Sequence, residues 1–294
     1  MTGTAPERMV VIGSGTMGRG IALSALLAGL DVDLVDVEER ALLAAGAWIS
    51  GYFARHPRTE PSEEPVRGRL ATTRNLDDVL DAAGVVIEAV PETPALKEQI
   101  FGRLKSAPPD VLLASNTSTM SVSALAEACG GSAMVVGMHF FNPAHKMRLV
   151  EVVTGDRTSG EAESAAVALA RRLGKEPIVV RDVPGFVTSR LGLLLGTEAM
   201  RMVEEGVADA ASIDRAMTLG YGHPLGPLRL ADLVGLDARL NNLRSMFART
   251  GDERYRPPGV LERLVAEGRL GRKSGRGFFD YDDAPGAGAA GEAR

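Results

Sequence analysis

The stretch from Val10 to Asp36 constrains the fold of this chain more than any other. A β-branched run leads into Gly13-x-Gly15-x-x-Gly18, a helix-like segment follows, and a second apolar run ends at Asp36. In such a motif the first glycine permits a tight turn, the second lets the backbone approach a pyrophosphate, and the third lets the helix pack closely on the strand. The helix N-terminus then presents free N–H groups to phosphates. This order of elements predicts a β-α-β unit that binds a dinucleotide.

The acid at the end of the second run predicts which dinucleotide is bound. Asp36 lies 18 residues after Gly18, close to the spacing expected for a carboxylate on the ribose hydroxyls. Because a carboxylate repels a 2′-phosphate, we expect NAD rather than NADP. Thr16 and Met17 lie between the second and third glycines, and we assign them to the same cofactor-binding loop.

The first part of the chain alternates between two kinds of periodicity. Strand-like runs occur at 8–12, 31–36, 84–90, 111–115, 133–139, 149–154 and 176–181. Helix-like runs occur at 16–29, 38–54, 94–106, 121–129 and 160–173. This alternation predicts an α/β domain with a mostly parallel sheet covered by helices. The charged, proline-containing segment from His56 to Arg74 is interpreted as a loop within that domain.

The pattern changes near Asp182, after which long helical periodicity replaces alternation. The helix-like segments end at or near glycine, as helix C-termini often do. We therefore predict an α/β domain over residues 1–183 and a smaller all-α domain over 184–283. Residues 284–294 are low in sequence complexity and are predicted to be a disordered tail.

Charge and cysteine content exclude several classes of protein. The net charge is −5, so we expect no general attraction to nucleic acid or to an anionic membrane. No run approaches the roughly 18 apolar residues of a spanning helix, and the first residues lack the layout of a signal peptide. Cys129 is the only cysteine, which rules out an intrachain disulfide and is consistent with a cytoplasmic protein.

Polar residues suited to proton transfer follow two of the predicted strands. Ser118 and His139 both come just after a strand-like run, and Glu151 lies twelve residues after His139 in the apolar frame LVEVV. A carboxylate behind a histidine fixes its tautomer and stabilises the imidazolium. From spacing alone the alternative, a core histidine and a solvent-facing glutamate, stays open. His145 lies six residues after His139, but no cysteine or acid cluster completes a metal site, so we expect no metal.

Several further motifs carry a resemblance to a known family. The glycine motif, SNTS, HFFNP followed by LVEVV, the PGF segment, HPLGPLRLADLVGLD and GRKSGRGFFDY occur in that order over residues 8–282. Together they resemble the L-3-hydroxyacyl-CoA dehydrogenase family. The resemblance implies a Rossmann-type domain followed by a helical dimerisation domain. It also implies NAD-dependent interconversion of L-3-hydroxyacyl-CoA and 3-oxoacyl-CoA by a homodimer, here with a short-chain substrate such as 3-hydroxybutyryl-CoA.

The same resemblance implies roles for individual residues. His139 would be the general base in oxidation and the acid in reduction, Glu151 would orient it, and Ser118 would hydrogen-bond the substrate oxygen. Ser189 stands where many members have an asparagine that holds the substrate carbonyl. Serine can still donate a hydrogen bond with a shorter reach, and the alternative is a simple role at a helix N-terminus.

Three more residues, Glu88, Glu92 and Lys97, fall where the family contacts the nicotinamide side, and a fourth candidate is Asn116 in the SNTS motif. For the first three, the alternative is a pair of helix-capping acids and a surface lysine. We assign all four to the cofactor site.

One segment departs from the family and leaves the carrier of the acyl group open. The family usually has a long helical hairpin with lysines that contact CoA, whereas this chain has a shorter segment with Arg55, Arg58, Arg67 and Arg69. Arginine binds phosphate well, but the segment also fits a solvated loop. An acyl carrier protein is therefore an alternative partner, as in the oxidation of a glyceryl group for polyketide extender units. A third hypothesis is an inactive NAD-binding structural protein.

Overall fold

The structure is a computed structural model that describes residues 7–56 and 68–281. Its contacts divide the chain into one unit that ends at Phe186 and a second that begins at Val187. The predicted boundary after residue 183 lies three residues before this division. Most of the predicted loop, including Arg58 and Arg67, and the predicted tail at 284–294 lie outside the described residues.

The first unit is built on one eight-stranded sheet, in the order β3-β2-β1-β4-β5-β6-β7-β8. The strands are β1 (Arg8–Ile12), β2 (Asp31–Val35), β3 (Leu70–Thr73), β4 (Val85–Glu88), β5 (Leu112–Ser115), β6 (Val135–Phe140), β7 (Leu149–Thr154) and β8 (Glu176–Arg181). All neighbouring strands run parallel except β6 and β7, which are antiparallel. The mostly parallel sheet predicted from the alternating pattern is confirmed.

Helices cover both faces of this sheet. They are α1 (Thr16–Leu27), α2 (Glu39–Arg55), α3 (Asp77–Leu80), α4 (Pro94–Leu104), α5 (Val122–Ala128) and α6 (Gly160–Arg172). Alternate residues of β1 enter different cores, with Met9 and Val11 packing in one cluster and Val10 and Ile12 in the other. Burial on both faces explains why this strand is a continuous apolar run rather than an alternating one.

The second unit is helical, as predicted. It contains α7 (Thr188–Glu204), α8 (Ala210–Tyr221), α9 (Pro227–Val234), α10 (Leu236–Thr250) and α11 (Gly259–Ala266), with 3-10 turns at Glu253–Tyr255 and Arg272–Ser274. Gly222 and Gly251 end α8 and α10 in the left-handed conformation, with φ of 70° and 65°. Among the described helices, none combines the length and apolarity needed to cross a bilayer.

The sequence analysis missed two short elements of the first unit. β3 lies at the edge of the sheet inside the segment interpreted as a loop, and it pairs only with β2. Its four residues, LATT, are half-buried or exposed, so they show no apolar run. α3 has only four residues, which is too short for a recognisable helical period.

Candidate functional site

The three glycines of the motif differ in what surrounds them. Gly13 has φ of 98°, and a Cβ there would lie 2.8 Å from the Ala89 carbonyl oxygen. A Cβ on Gly18 would lie 1.7 Å from the Gly13 carbonyl oxygen. A Cβ on Gly15 would meet no atom within 4 Å, so the backbone there faces open space. The first and third glycines are required by packing, and the second leaves room for a ligand to approach.

A cavity of about 790 Å³ opens beside this turn, past the carboxyl ends of β1 and β2. Five of the residues assigned to the cofactor from sequence line it: Gly13, Gly15, Thr16, Met17 and Asp36. The volume lies within the range of ligand pockets, and the position is the one at which open α/β sheets bind nucleotides. These residues therefore fit a dinucleotide.

Asp36 is held at the edge of this cavity by hydrogen bonds. Its Oδ2 accepts from the Ser14 backbone N at 2.8 Å and from Ser14 Oγ at 2.7 Å, while Oδ1 accepts from the Glu38 backbone N at 3.0 Å. Burial alone would raise the pKa of Asp36, but the bonds from Ser14 and Glu38 outweigh it and lower that pKa. The sequence analysis missed Ser14, although a hydroxyl between the first two glycines is visible in the motif.

Glu88 and Lys97 form an ion pair inside the protein. Lys97 Nζ lies 2.7 Å and 2.9 Å from the two Glu88 carboxylate oxygens, and Ser115 Oγ donates to Glu88 Oε2 at 2.6 Å. The relative exposure of Glu88 is 0% and that of Lys97 is 1%. Because Lys97 is buried, it is not a surface lysine, and the assignment of Glu88 and Lys97 to the cofactor site stays a prediction. Their contact with the site runs through Glu92, whose Oε2 lies 3.1 Å from Lys97 Nζ.

Glu92 in turn holds the loop that follows β5. Its Oε1 accepts from Thr117 Oγ1, from the Ser118 N at 2.9 Å and from the Thr119 N at 3.0 Å. Burial would raise the pKa of Glu92, but the charge of Lys97 and the bond from Thr117 together lower it. Glu92 is therefore an ionised anchor that fixes the position of Ser118.

His139 and Glu151 meet across the antiparallel pair β6–β7. They are direct partners in the register, and His139 Nδ1 lies 2.7 Å from Glu151 Oε2. Glu151 is fully buried and His139 is 8% exposed. The geometry favours a tautomer in which Nδ1 donates to the carboxylate, which leaves the Nε2 lone pair for a substrate. The structure thus brings together the two residues that the sequence could not pair by itself.

Two residues lie near His139: Asn116, which the sequence analysis assigned to the cofactor, and Phe186, which it did not identify. Asn116 Oδ1 accepts a hydrogen bond from the Phe140 N at 2.9 Å, which ties the loop after β5 to the end of β6. The Phe186 ring lies 5.9 Å from the His139 ring, between centroids. Phe186 has φ of 47°, a left-handed conformation that a non-glycine residue rarely adopts and that no sequence pattern signals.

The remaining predicted residues are more dispersed. Ser189 is half-buried in the first turn of α7 and belongs to the second unit, so its role stays a prediction. Arg69 donates to the Gly29 carbonyl oxygen near the start of β2 and is used structurally. Of the two arginines of the departing segment that the structure describes, Arg55 and Arg69, only Arg55 lines a described cavity.

That cavity, of about 320 Å³, is positively charged. Five basic side chains line it: Arg19, Arg55, His56, His145 and Lys146. No carboxylate is among the described residues that line it, and Trp48 and Tyr52 supply aromatic walls. Arg19 Nε and His145 Nδ1 are buried without a hydrogen-bond partner in the described chain. We call this group the cationic pocket; its composition suits an anionic ligand.

The chain matches a family over nearly all its length. A family model described as 3-hydroxyacyl-CoA dehydrogenase, NAD binding domain, matches residues 8–183, and the corresponding C-terminal domain matches 185–281. A probable 3-hydroxybutyryl-CoA dehydrogenase of Bacillus subtilis is 40% identical over 94% of this chain and 98% of its own length. The mitochondrial hydroxyacyl-coenzyme A dehydrogenase of Sus scrofa is 35% identical over 94% of this chain and 91% of its own.

Solved structures agree with this assignment. The crystal structure of (S)-3-hydroxybutyryl-CoA dehydrogenase from Ralstonia eutropha has a TM-score of 0.90 and 37% identity, covering 95% of this chain and 100% of that one. The NAD-binding domain model matches the unit that holds the glycine turn and Asp36, so NAD is the cofactor. The chain belongs to the 3-hydroxyacyl-CoA dehydrogenase family and is an NAD-dependent oxidoreductase.

Proposed function

We propose that this protein interconverts L-3-hydroxyacyl-CoA and 3-oxoacyl-CoA thioesters of short chain length, such as 3-hydroxybutyryl-CoA and acetoacetyl-CoA. The observation that carries the proposal is the 2.7 Å contact between His139 Nδ1 and the buried Glu151 carboxylate, because the reaction needs a proton-transfer group that is held in one orientation. The names of the B. subtilis and R. eutropha relatives support the choice of substrate.

In this mechanism His139 moves the proton at Nε2. During oxidation Nε2 takes the proton of the C3 hydroxyl, and during reduction it returns that proton to the carbonyl oxygen. The carboxylate of Glu151 accepts the Nδ1–H, fixes the tautomer and stabilises the imidazolium as it forms. Bound NAD supplies the hydride acceptor, or as NADH the donor, at its nicotinamide ring.

Other residues position the substrate and the cofactor. Ser118, which Glu92 holds in place, would donate a hydrogen bond to the substrate oxygen, and Ser189 would donate one to the substrate carbonyl. Backbone N–H groups of the glycine turn would meet the pyrophosphate, and Asp36 would accept from the ribose hydroxyls. Asn116 contributes by holding the end of β6.

The cationic pocket supports a phosphate-bearing carrier for the acyl group. Arg19, Arg55 and Lys146 present cationic groups, and two buried ring or guanidinium nitrogens there lack protein partners within the described residues. Free CoA carries three phosphates, whereas the phosphopantetheine arm of a carrier protein carries one. We therefore favour CoA and keep the carrier-protein substrate as the alternative to be tested.

A homodimer also forms part of the proposal. The second unit exposes large apolar side chains on α7, α8 and α9, including Leu191, Leu219, Tyr221 and Leu233, with relative exposures of 63%, 75%, 77% and 54%. Large exposed apolar side chains on these three helices support a subunit interface there.

The test is NADH consumption with acetoacetyl-CoA, beside the same acyl group on a carrier protein. We expect turnover with the CoA ester, and loss of that turnover in His139→Ala with NADH affinity unchanged. Turnover only with the carrier-protein thioester would show that the carrier-bound acyl group, and not the CoA thioester, is the substrate. Equal turnover by His139→Ala would refute the assigned chemistry, and NADH binding without turnover on either substrate would favour an inactive NAD-binding protein.

A further inference from the structure

Lys175, between α6 and β8, is a buried lysine that binds backbone oxygens. Its relative exposure is 7%, and burial lowers its pKa. Within residues 7–56 and 68–281 no ion pair to its ammonium group is found. Instead, Nζ donates to the Ala144 carbonyl oxygen at 2.6 Å and to the Met147 carbonyl oxygen at 3.0 Å. Lysine is almost never fully buried unless it is paired, and here two carbonyls of one loop take the place of an acid.

These two carbonyls enclose the part of the loop that lines the cationic pocket. The loop after β6 makes one turn, closed by hydrogen bonds from two backbone N–H groups to the Pro143 carbonyl oxygen, at 2.9 Å and 3.0 Å. His145 and Lys146 are the two residues between the carbonyls, and both line the pocket. Lys175 therefore holds the chain immediately before and immediately after the two residues that the loop contributes.

The opposite side of this turn packs on α1. The point where a Cβ on Gly20 would be lies 3.1 Å from Ala144 Cβ, and Ala144 is buried. Since that distance is shorter than an ordinary van der Waals contact, glycine at this position lets the turn lie directly against the helix. The turn is thus fixed from two sides, by Lys175 and by α1.

We propose that Lys175 is a positioning residue for substrate binding, which holds the turn so that His145 and Lys146 meet a phosphate group of CoA. The inference rests on the proposed function, because it takes the cationic pocket as the site of that phosphate. Lys175 acts on affinity and not on proton transfer, since the separation of His139 and Glu151 is set by the register of β6 and β7.

The test compares acetoacetyl-CoA with acetoacetyl-pantetheine in NADH-dependent reduction. The second thioester carries the same acyl group and the same thiol arm without phosphates. We expect the wild type to have the higher kcat/KM with the CoA thioester. In Lys175→Met this preference ratio should fall about 10-fold, as expected when a hydrogen bond to a charged group is lost. The fall should appear in KM for acetoacetyl-CoA, with kcat near the wild-type value.

Two further variants separate positioning from a general effect on charge. Lys146→Met should also lower the preference ratio. The double variant should lose less than the product of the two single losses, because both changes act on the same phosphate contact. The matched control is Lys105→Met, which removes an exposed lysine at the end of α4 and should keep the wild-type ratio.

A second perturbation of the turn is needed in case Lys175→Met does not fold. Gly20→Ala adds a Cβ that would press on Ala144 from the side of α1, while Lys175 stays in place. We expect it to lower the preference ratio in the same direction.

Other outcomes would overturn the inference in distinguishable ways. A wild-type ratio in Lys175→Met refutes it and leaves the proposed function intact; if that variant does not fold, a wild-type ratio in Gly20→Ala does the same. An equal decrease in kcat/KM for both thioesters, with a lower melting temperature, would show that Lys175 only stabilises the fold. No preference in the wild type would refute the phosphate site and this inference with it. Failure of the wild type to reduce either thioester would refute the proposed function itself.

Discussion

Replacing the carboxylate of Glu151 is the most direct test of the proposed chemistry. Replacing it by glutamine (Glu151→Gln) keeps the size of the side chain and an oxygen that can accept from His139 Nδ1, while removing the negative charge. Because the charge lies inside the protein, solvent screens it little. The substitution therefore separates the electrostatic effect of the Glu151 charge from the role of Glu151 in orienting His139.

The expected decrease in kcat follows from the distance between His139 and Glu151. At an effective dielectric constant of about 20, unit charges separated by the observed 2.7 Å attract each other by about 6 kcal/mol. If the proton is about half transferred in the transition state, about 3 kcal/mol of stabilisation is lost, which corresponds to roughly a 10²-fold decrease in kcat. The affinity for NADH should not change, because Glu151 does not line the cofactor cavity.

The assay is steady-state NADH consumption with acetoacetyl-CoA, with NADH affinity measured separately by fluorescence. A matched control is Glu176→Gln, an exposed glutamate on the neighbouring strand β8, which should behave like the wild type. A kcat for Glu151→Gln within about threefold of the wild type would refute the electrostatic argument. An equal loss of NADH affinity would indicate a disturbed fold instead.

Three further substitutions test other parts of the structure. Asp36→Asn should weaken NADH binding about 10-fold in a fluorescence titration and reduce discrimination against NADPH, since the ribose acceptor loses its charge; unchanged selectivity would contradict this role. Gly18→Ala should lower stability by about 1–3 kcal/mol in denaturant unfolding, because its Cβ would collide with the Gly13 carbonyl oxygen, and wild-type stability would contradict the packing. Burial, reinforced by the charges of Lys146 and Lys175, lowers the pKa of His145 below 6.5. The unfolded chain therefore takes up a proton that the folded chain resists, so wild-type stability should fall as the pH drops below about 6.5, and melting curves of His145→Asn should show a smaller fall.

Much of the fold was predictable because its signals are local. The glycine motif places a turn, a helix start and an acid within 27 residues, and the structure gives each glycine the environment expected of it. Strands buried on both faces, such as β1 and β4, are continuous apolar runs that the sequence shows directly. The edge strand β3 lacks this signal, since an edge strand can be short and polar.

The site was less predictable because its contacts are long-range. Whether Glu88 and Lys97 are buried depends on how α4 packs against β4, and nine residues of sequence separation do not reveal that packing. The cationic pocket likewise combines residues of α1, α2 and the loop after β6, which are distant in the chain. Spacing alone also left the His139–Glu151 contact undecided, because the sequence does not state that β6 and β7 are antiparallel neighbours.

That antiparallel pairing makes the proposed catalytic distance independent of the connecting loop. Because His139 and Glu151 are opposite each other in the ladder, their separation is set by backbone hydrogen bonds between strands. Residues 141–148 can therefore lengthen, shorten or change sequence without altering the proton-transfer geometry, provided that the strand register is kept. The loop that carries His145 and Lys146 can therefore change in sequence while the contact between His139 and Glu151 is kept. The fold can acquire new ligand contacts in this loop without a change in its proposed catalytic pair.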